Sequence, residues 1–326
     1  MAKKNENKRV AIVCQGGGSH TAFTAGALKR ILRENHKKYE IMGLSGTSGG
    51  AISALLAWYS ILNNDEDMAI RLLDTFWDDN SANSLHDSFM NQWIVGMYGW
   101  PGGVAMLQPF FHPVKNAWAQ DRVRGELEKL VDFEKIEELI KPSSPDLLIG
   151  AVDINSGCFR IFKNAEVNAD VMLASVALPI LYKAVHVDGK AYWDGAFSQS
   201  SCVSDLVRGL PDARSKPDEI WIIQTTRQER NDNPKTLEEV LDRTYEISSH
   251  LSLNQEIDFI KTVNKWLKEG SLSNGKYKHI EVRAIEMNRD LHYTSKLDRS
   301  PSFIQEMMDY GESQAEDFLE KRPANA

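Results

Sequence analysis

The sequence predicts an α/β protein with a mainly parallel sheet, because its first sixty residues repeat the order strand, glycine-rich turn, helix. Residues 9–14, RVAIVC, and 39–45, YEIMGLS, are short, largely apolar runs that end at or near glycines, as buried strands do. Each is followed by an apolar segment of helical periodicity, at 19–35 and at 48–62. Units of this kind are joined by right-handed crossovers, so we expect their strands to lie parallel in one sheet.

Later segments continue the alternation of strands and helices. Strands are predicted at 146–154, 158–164, 181–187, 190–194, 219–226 and 278–286. Amphipathic helices are predicted at 66–79, 132–141 and 236–267, and a last helix begins at the Ser300-Pro301 start signal. Two turn sequences, Asn155-Ser-Gly and Asp188-Gly189, predict hairpins between neighbouring strands. No repeat, low-complexity tract or linker divides the chain, so we predict one α/β domain with helical additions.

The charge balance argues against nucleic acid as a partner. The 326 residues contain 38 Lys and Arg against 46 Asp and Glu, which gives a net charge of −8. Electrostatic repulsion would oppose the wrapping of a polyanion by such a chain. A neutral or zwitterionic partner is expected instead.

The cysteines and the apolar segments favour a cytoplasmic location. Cys14, Cys158 and Cys202 are widely spaced and odd in number, which fits neither a disulfide framework nor a paired metal site. The first apolar run is too short for a signal-peptide core, so we expect synthesis for the cytosol, and export without a cleavable signal stays compatible. The apolar stretch 93–106 is broken by Gly and Pro and is shorter than the ~20 residues that span a bilayer, so no transmembrane helix is expected.

The stretch Gly46-Thr-Ser48-Gly-Gly50 lies between a predicted strand and a predicted helix. A serine at such a turn can expose its hydroxyl above the sheet, and glycines at its flanks accommodate the compressed backbone, as in a nucleophile elbow. The helix N-terminus beneath it would favour a developing negative charge. The alternative is that Ser48 only caps the helix.

A second glycine-rich turn, Gln15-Gly16-Gly17-Gly18, also follows a strand and precedes a helix. It lacks the third glycine of a dinucleotide fingerprint, since Thr21 stands there, and it lacks the Gly-Lys-Ser/Thr of a phosphate loop. Three bare glycines allow backbone N–H groups to approach a small anion, as an oxyanion hole requires. The alternative is an ordinary tight turn.

A serine nucleophile needs a base, and two classes of residue compete for that role. An α/β-hydrolase triad would draw on His250, His279 or His292, none of which lies at a glycine-flanked strand end. Among the carboxylates, Asp188 lies in a predicted hairpin turn and Asp194 ends the predicted strand KAYWD. Spacing alone does not rank the two aspartates.

Three stretches together resemble the patatin-like phospholipases. GGGSHTAFTAGAL is similar to the oxyanion loop of that family, GLSGTSGGAISALLA to its serine elbow, and ASVALPILYKAVHVDGKAYWDGA to its Ala-Ser-x-Ala-x-Pro segment and Asp-Gly motif. They occur in the family's order. The resemblance covers about residues 8–225, with a mainly helical insertion at about 65–141, and we expect residues 226–326 to form an extension that packs on the same domain.

The resemblance implies a layered α/β/α domain with a Ser-Asp dyad. Carried over to this sequence, Ser48 is the nucleophile in an elbow flanked by Gly46 and Gly50. Asp194 is its base and Asp188 stays a turn residue. The N–H groups of Gly16, Gly17 and Gly18 bind the oxyanion, and neither a metal nor an organic cofactor is implied.

The activity implied is that of a lipid acyl hydrolase, a serine esterase of the phospholipase A or lysophospholipase type, with phospholipid or another acyl ester as substrate. Alternatives are a soluble carboxylester or acyl-thioester hydrolase and a catalytically silent lipid-binding protein on the same fold. The chain departs from the family pattern at His20 and Thr21, where a basic residue and glycine are usual, and at 197–201, where the family often has Asn-x-Pro. His20 could bind an anionic head group or only cap the turn.

Aromatic residues concentrate in the uncharged stretch 93–111. Aromatic rings suit a membrane boundary, so this stretch predicts peripheral contact with a membrane through a flap beside the site. The alternative is that the same residues form the core of the insertion.

Overall fold

The computed structural model describes residues 7–35, 37–100, 102, 117–179, 182–195, 202–230, 232–273 and 275–321. Its strands are β1 (Lys8–Cys14), β2 (Tyr39–Gly46), β3 (Asp146–Asp153), β4 (Phe159–Lys163), β5 (Val185–Val187), β6 (Lys190–Asp194), β7 (Glu219–Gln224) and β8 (Glu281–Glu286). Its α-helices are α1 (Ala22–Leu32), α2 (Gly49–Leu62), α3 (Glu66–Asn80), α4 (Leu85–Tyr98), α5 (Ala117–Leu130), α6 (Ile136–Leu139), α7 (Ala169–Ser175), α8 (Leu237–Lys268) and α9 (Pro301–Glu320).

The sheet is mainly parallel, as the sequence predicts. Five strands run parallel in the order β3, β2, β1, β7, β8, and β4 and the β5–β6 hairpin add to it in antiparallel orientation. Asp188 and Gly189 both have positive φ, 51° and 75°, as the two-residue hairpin turn between β5 and β6 requires. Both predicted hairpins are therefore confirmed.

Helices cover both faces of the sheet. Alternate residues of β1 point to opposite sides, so Val10 and Ile12 pack in one core with side chains of α1, α2, α3 and α9. Ala11 and Val13 pack in a second core with Leu253 of α8. The fold is the layered α/β/α arrangement expected from the sequence.

The three long helices begin at or next to the residues at which they were predicted to begin. Asp65 accepts a hydrogen bond from the Met68 N–H at the start of α3, and Thr236 forms a capping box with Glu239 at the start of α8. Ser300 and Pro301 begin α9.

Two local predictions are wrong in part. The strand predicted at 181–187 is limited to Val185–Val187 in the described chain, and the helix predicted at 132–141 is divided into a 3-10 turn, Phe133–Lys135, and α6. The first part of the stretch 93–106 lies in α4, which Ser84 caps by accepting from the Asp87 N–H, within the region predicted to be mainly helical. An exposed helix tolerates Gly96 at a cost of about 1 kcal/mol, so one glycine does not stop it.

The C-terminal part of the chain packs on the elements that begin it. β8 extends the sheet beyond β7, and α9 lies along α1. A Cβ at Gly26 would lie 1.9 Å from the Met308 carbonyl oxygen, and one at Gly311 would lie 2.0 Å from that of Phe23, so the two helices cross in backbone contact. No helix among the described residues has the length and apolar content that crossing a bilayer demands.

Candidate active site

Strands β2 and β6 end facing each other along one edge of β3. β2 ends with Gly46 opposite Ile149, and β6, running the other way, ends with Asp194 opposite Ala151. β4 pairs with both Ile149 and Ala151, so it lies along the opposite edge of β3. Ile149 and Ala151 are two positions apart, which is about 7 Å along a strand. The chain that leaves β2 and the residue that ends β6 therefore converge beside Gly150.

Ser48 lies in a strained turn between β2 and α2. Its φ of 58° and ψ of −136° are unusual for a residue with a side chain, and its hydroxyl makes no capping hydrogen bond to α2. The capping role that the sequence allowed is therefore wrong. The turn has the backbone geometry of a strained strand-to-helix elbow.

The glycines around Ser48 permit close approach of backbone to backbone. A Cβ at Gly46 would lie 2.6 Å from the Gly50 carbonyl oxygen, and one at Gly50 would lie 2.3 Å from that of Cys14. A Cβ at Gly16 would lie 2.8 Å from the Ser48 Cβ. The elbow and the first residue of the glycine loop are thus in contact.

One short segment holds both Ser48 and Asp194. The Ser48 N–H lies 3.1 Å from both the carbonyl oxygen and the hydroxyl oxygen of Ser175, and the Asp194 N–H donates to the Ala177 carbonyl at 3.0 Å. The Ser175 hydroxyl in turn donates to the Gly150 carbonyl at 2.8 Å, on the strand where β2 and β6 converge. Ser175 and Asp194 are fully buried, so these bonds form in a region without solvent competition.

The positions of Ser175 and Ala177 were not identified as site residues from the sequence. The signal was present, because both lie in the stretch ASVALP that carries part of the resemblance. The motif does not show which residue Ser175 binds, since its partner Ser48 is 127 residues distant along the chain. A polar residue inside an apolar motif, such as Ser175 in ASVALP, is the pattern that indicates a buried hydrogen bond to a distant segment.

The peptide groups of the glycine loop are fixed by three hydrogen bonds. The Thr225 hydroxyl donates to the Gly16 carbonyl at 2.5 Å, the His20 N–H donates to the Gly17 carbonyl at 3.2 Å, and the Thr21 hydroxyl donates to the Gly18 carbonyl at 2.6 Å. In a trans peptide the N–H points opposite to the preceding carbonyl. Each bond holds one carbonyl, so it also fixes the N–H of the following residue, which points in the direction opposite to that carbonyl.

His20 is a buried neutral side chain. It is 3% exposed, its Nε2 lies 2.7 Å from the Ser295 hydroxyl oxygen, and its ring lies 6.1 Å from that of Phe303. Burial, together with the positive charge of Lys296, lowers the pKa of His20 to about 3. A neutral, enclosed imidazole does not supply a positive charge for a head group, so that interpretation of His20 is wrong, and its contacts instead hold the loop to residues 293–297.

Partly buried ion pairs lie next to the glycine loop. Lys296 Nζ lies 2.5 Å from an Asp242 carboxylate oxygen and 3.0 Å from one of Glu246, and Arg230 is 2.7 Å from Glu246. Burial acts to raise the pKa of Glu246, but the adjacent Lys296 and Arg230 outweigh it and hold that pKa below its usual value. A Cβ at Gly18 would lie 2.3 Å from the Lys296 carbonyl oxygen, so this charged cluster is joined directly to the glycine loop.

The three histidines considered for a triad have other contacts. His250 lies in α8 with its Nε2 3.1 Å from the Thr226 hydroxyl, His292 Nδ1 lies 2.9 Å from the Thr294 hydroxyl, and His279 is exposed. Within the described ranges, none of them hydrogen-bonds to Ser48. Asp188 lies in its hairpin turn, with a carboxylate oxygen 2.8 Å from Arg160 Nη2.

Comparison with solved structures finds several similar chains, among them the following two, both of low sequence identity. VipD from Legionella pneumophila has a TM-score of 0.45 and 13% identity, over 97% of this chain and 67% of that one. The type III effector protein ExoU has a TM-score of 0.37 and 14% identity, over 97% of this chain and 53% of that one. This chain therefore spans about two thirds and about half of the two structures. A comparison with curated protein sequences finds no significant match.

The family comparison agrees with the motifs and with the sheet. A family model described as patatin-like phospholipase matches residues 12–207, which is more than half of the chain and includes both the glycine loop and β6. Among the described residues, no group of three or more His, Cys, Asp or Glu side chains is placed to hold a metal ion. The chain belongs to the patatin-like phospholipase family.

Proposed function

We propose that the protein is a lipid acyl hydrolase in which Ser48 and Asp194 act as a catalytic dyad. The observation that carries the proposal is the meeting of β2 and β6 along one edge of β3, with both residues tied to the segment 175–177. Membership of a family of ester-hydrolysing enzymes supports the reaction class. The soluble-ester hydrolase and the silent lipid-binding protein remain the competing functions.

The proposed reaction runs through an acyl-enzyme. Asp194 accepts the Ser48 hydroxyl proton as the Ser48 oxygen attacks the ester carbonyl, and the loop N–H groups bind the resulting oxyanion. The tetrahedral intermediate then breaks its bond to the alcohol, which leaves with the proton from Asp194. Water, deprotonated by the same carboxylate, attacks the acyl-enzyme and releases the fatty acid, and Ser48 recovers its proton.

The experiment that separates the three functions begins with fluorophosphonate labelling of the purified protein. Labelling mapped to Ser48 by peptide mass spectrometry, and absent in Ser48→Ala, is expected for either hydrolase. Absence of labelling in the folded wild-type protein would favour a silent binding protein. Phospholipid, lysophospholipid, a short-chain ester and an acyl thioester are then compared as substrates with mass-spectrometric readout. Faster release of fatty acid from the two phospholipid classes supports the lipid hydrolase, and preference for the soluble substrates contradicts it.

We also propose that α4 and the residues after it contact the lipid surface. Phe89 and Trp100 are 67% and 66% exposed. Trp93 is half-buried, and residues 101 and 103–111 of the predicted stretch lie outside the described residues. Tyr98 of α4 packs against Tyr293 at 5.5 Å, next to the segment that contacts the glycine loop, so the exposed rings lie on an element joined to the candidate site.

Changing Phe89 and Trp100 to Ser together tests this contact. The matched control changes Phe259 and Trp266 to Ser, which are also exposed and lie in the second half of α8. Gly102, which follows α4, donates its N–H to Glu238 in the first turn of α8. Trp266 is 28 residues further along the same helix and so is about 40 Å from this contact. We expect the first pair to lower activity on vesicles at least tenfold more than on a soluble ester, and the control pair to change both rates equally. Equal effects of the two pairs would contradict the contact.

A further inference from the structure

Thr225 joins the end of β7 to the glycine loop at the end of β1. β1 and β7 are parallel neighbours, so their carboxyl ends lie side by side. Thr225 is fully buried, and its N–H donates to the Gln15 side-chain oxygen at 3.0 Å. It lies outside the range matched by the family model, residues 12–207.

The Thr225 hydroxyl holds the one loop peptide that includes the Gly17 N–H. It donates to the Gly16 carbonyl oxygen at 2.5 Å, and a Cβ at Gly17 would lie 2.7 Å from the same hydroxyl oxygen. Because the peptide is planar and trans, a fixed Gly16 carbonyl fixes the opposite direction of the Gly17 N–H. The Gly17 and Gly18 carbonyls are held by His20 and Thr21, which follow directly in the chain, whereas Thr225 comes from another strand.

We propose that Thr225 is a positioning residue for the oxyanion hole, which aims the Gly17 N–H at the oxygen of the tetrahedral intermediate. The inference rests on the proposed function, since it needs an acyl transfer at Ser48. Thr225 acts only through the Gly16–Gly17 peptide. Preorganised N–H donors contribute to catalysis when their direction is set before the reaction, and the buried hydroxyl sets it.

The test replaces the hydroxyl while keeping the shape. Thr225→Val removes the donor from a side chain of nearly equal volume, and Thr225→Ser restores the hydroxyl. Loss of one oxyanion donor typically costs about 10²–10³ in kcat, so misdirection of one is expected to lower kcat on a soluble ester by about 10-fold to 100-fold. KM should stay within twofold, because the ground-state carbonyl depends little on this donor. The rate of fluorophosphonate labelling at Ser48 should fall in parallel, and Thr225→Ser should stay within about threefold of wild type.

Thr226→Val is the matched control. Thr226 is the next residue in the chain. Its hydroxyl donates to the Gln15 side-chain oxygen at 3.2 Å and does not bond to a carbonyl of the glycine loop. Thr225→Val loses a buried hydrogen bond and Thr226→Val loses a partly buried one, so both variants lose some stability, but only Thr225→Val should lose kcat. If Thr225→Val fails to unfold cooperatively, Thr225→Ala is measured in its place.

The outcomes separate this inference from the proposed function. A folded Thr225→Val enzyme with wild-type kcat overturns the inference, as does Thr225→Ser with the same loss as Thr225→Val, or an equal loss of kcat in Thr226→Val. In each of these cases Ser48 labelling in the wild type still supports the hydrolase. Absence of Ser48 labelling in the wild type would overturn the proposed function, and the inference with it.

Discussion

Ser48 carries a side chain in a backbone conformation that side chains disfavour. A non-glycine residue at positive φ in a strained region costs about 1–3 kcal/mol, and the structure around Ser48 maintains the conformation through the two bonds to Ser175. Strained backbone conformations of this kind are concentrated at active sites. The proposal that Ser48 is the nucleophile thus predicts a measurable cost in stability.

Two substitutions at Ser48 measure that cost. Ser48→Ala keeps the backbone strain, whereas Ser48→Gly removes it. Part of the stability gained in this way is lost, because glycine makes the unfolded chain more flexible. We expect Ser48→Gly to exceed Ser48→Ala by about 1 kcal/mol in the free energy of unfolding by denaturant, against the usual order of the two residues. A more stable alanine variant would show that the turn is not strained.

His20 predicts a dependence of stability on pH. Its pKa is lowered to about 3 in the folded protein from an ordinary value of 6.5, so below pH 6.5 the unfolded state binds a proton that the folded state does not. The stability present above pH 6.5 is therefore lost as the pH falls toward 3, at about 1 kcal/mol per pH unit. In His20→Gln this component disappears, so the difference in unfolding free energy between wild type and variant should shrink from pH 7 to pH 4.5. A difference that is constant with pH would contradict the burial of a neutral imidazole.

At the residue scale, much of the candidate site could be predicted, because its backbone demands are written in short motifs. Gly46 and Gly50 stand where a Cβ would meet backbone atoms, and Asp188-Gly189 forms its hairpin turn. Thr225 could not be predicted, because nothing near it in sequence shows that β7 would lie beside β1. The neutral state of His20 also depends on burial that a local motif does not reveal.

At the element scale, the contact between α1 and α9 connects the end of the chain to the glycine loop. α1 follows the loop directly, and its Gly26 meets the Met308 backbone while Gly311 of α9 meets that of Phe23. Arg30 of α1 and Glu316 of α9 form an ion pair beside this crossing. Helices this close need glycine at both contact points, so the crossing is specified by two residues that are 285 positions apart.

Gly311→Ala tests this crossing, with Gly125→Ala as the control. A Cβ at Gly311 would lie 2.0 Å from the Phe23 carbonyl oxygen, so the helices must separate, and overpacking of this kind costs about 1–3 kcal/mol. Gly125 lies inside α5 with no heavy atom within 4 Å of its added Cβ, so alanine there should stabilise by about 0.5–1 kcal/mol. Opposite signs in the free energies of unfolding are expected, and a neutral Gly311→Ala would contradict the close crossing.

The elements that local patterns predicted well are those with strong start and stop signals. α8 begins at the Thr236 capping box, α9 begins with Pro301 in its first turn, and β6 coincides with the predicted strand KAYWD. The region 65–141 was predicted to be mainly helical, but α4 was not predicted as a separate helix because its glycines and aromatic residues lack an amphipathic period. Its place is set by contacts with the 293–297 segment. Tertiary contacts of this kind override weak local preferences.

At the scale of the whole molecule, the sheet order brings distant motifs to one place. The glycine loop follows β1, the elbow follows β2 and Asp194 ends β6, and these three strand ends belong to neighbouring ladders of one sheet. The parallel arrangement and the order of the motifs were predictable from the sequence. That β2 and β6 both pair with the same edge of β3, and so meet end to end, was not predictable. It follows from pairings between residues that are far apart in the chain.

The central claim is that Ser48 and Asp194 act as a dyad, and the turnover of a soluble ester by matched variants tests it most directly. Removal of either member of a unit that acts together should lower kcat by ~10³ to ~10⁶, so Ser48→Ala and Asp194→Asn are expected to be inactive while circular dichroism shows them folded. Asp188→Asn should keep most of its activity, because Asn-Gly supports the same hairpin, and His250→Ala, His279→Ala and His292→Ala should stay within a few-fold of wild type. An active Asp194→Asn enzyme together with an inactive, folded variant at one of these histidines would contradict the dyad and replace it with a histidine-dependent triad.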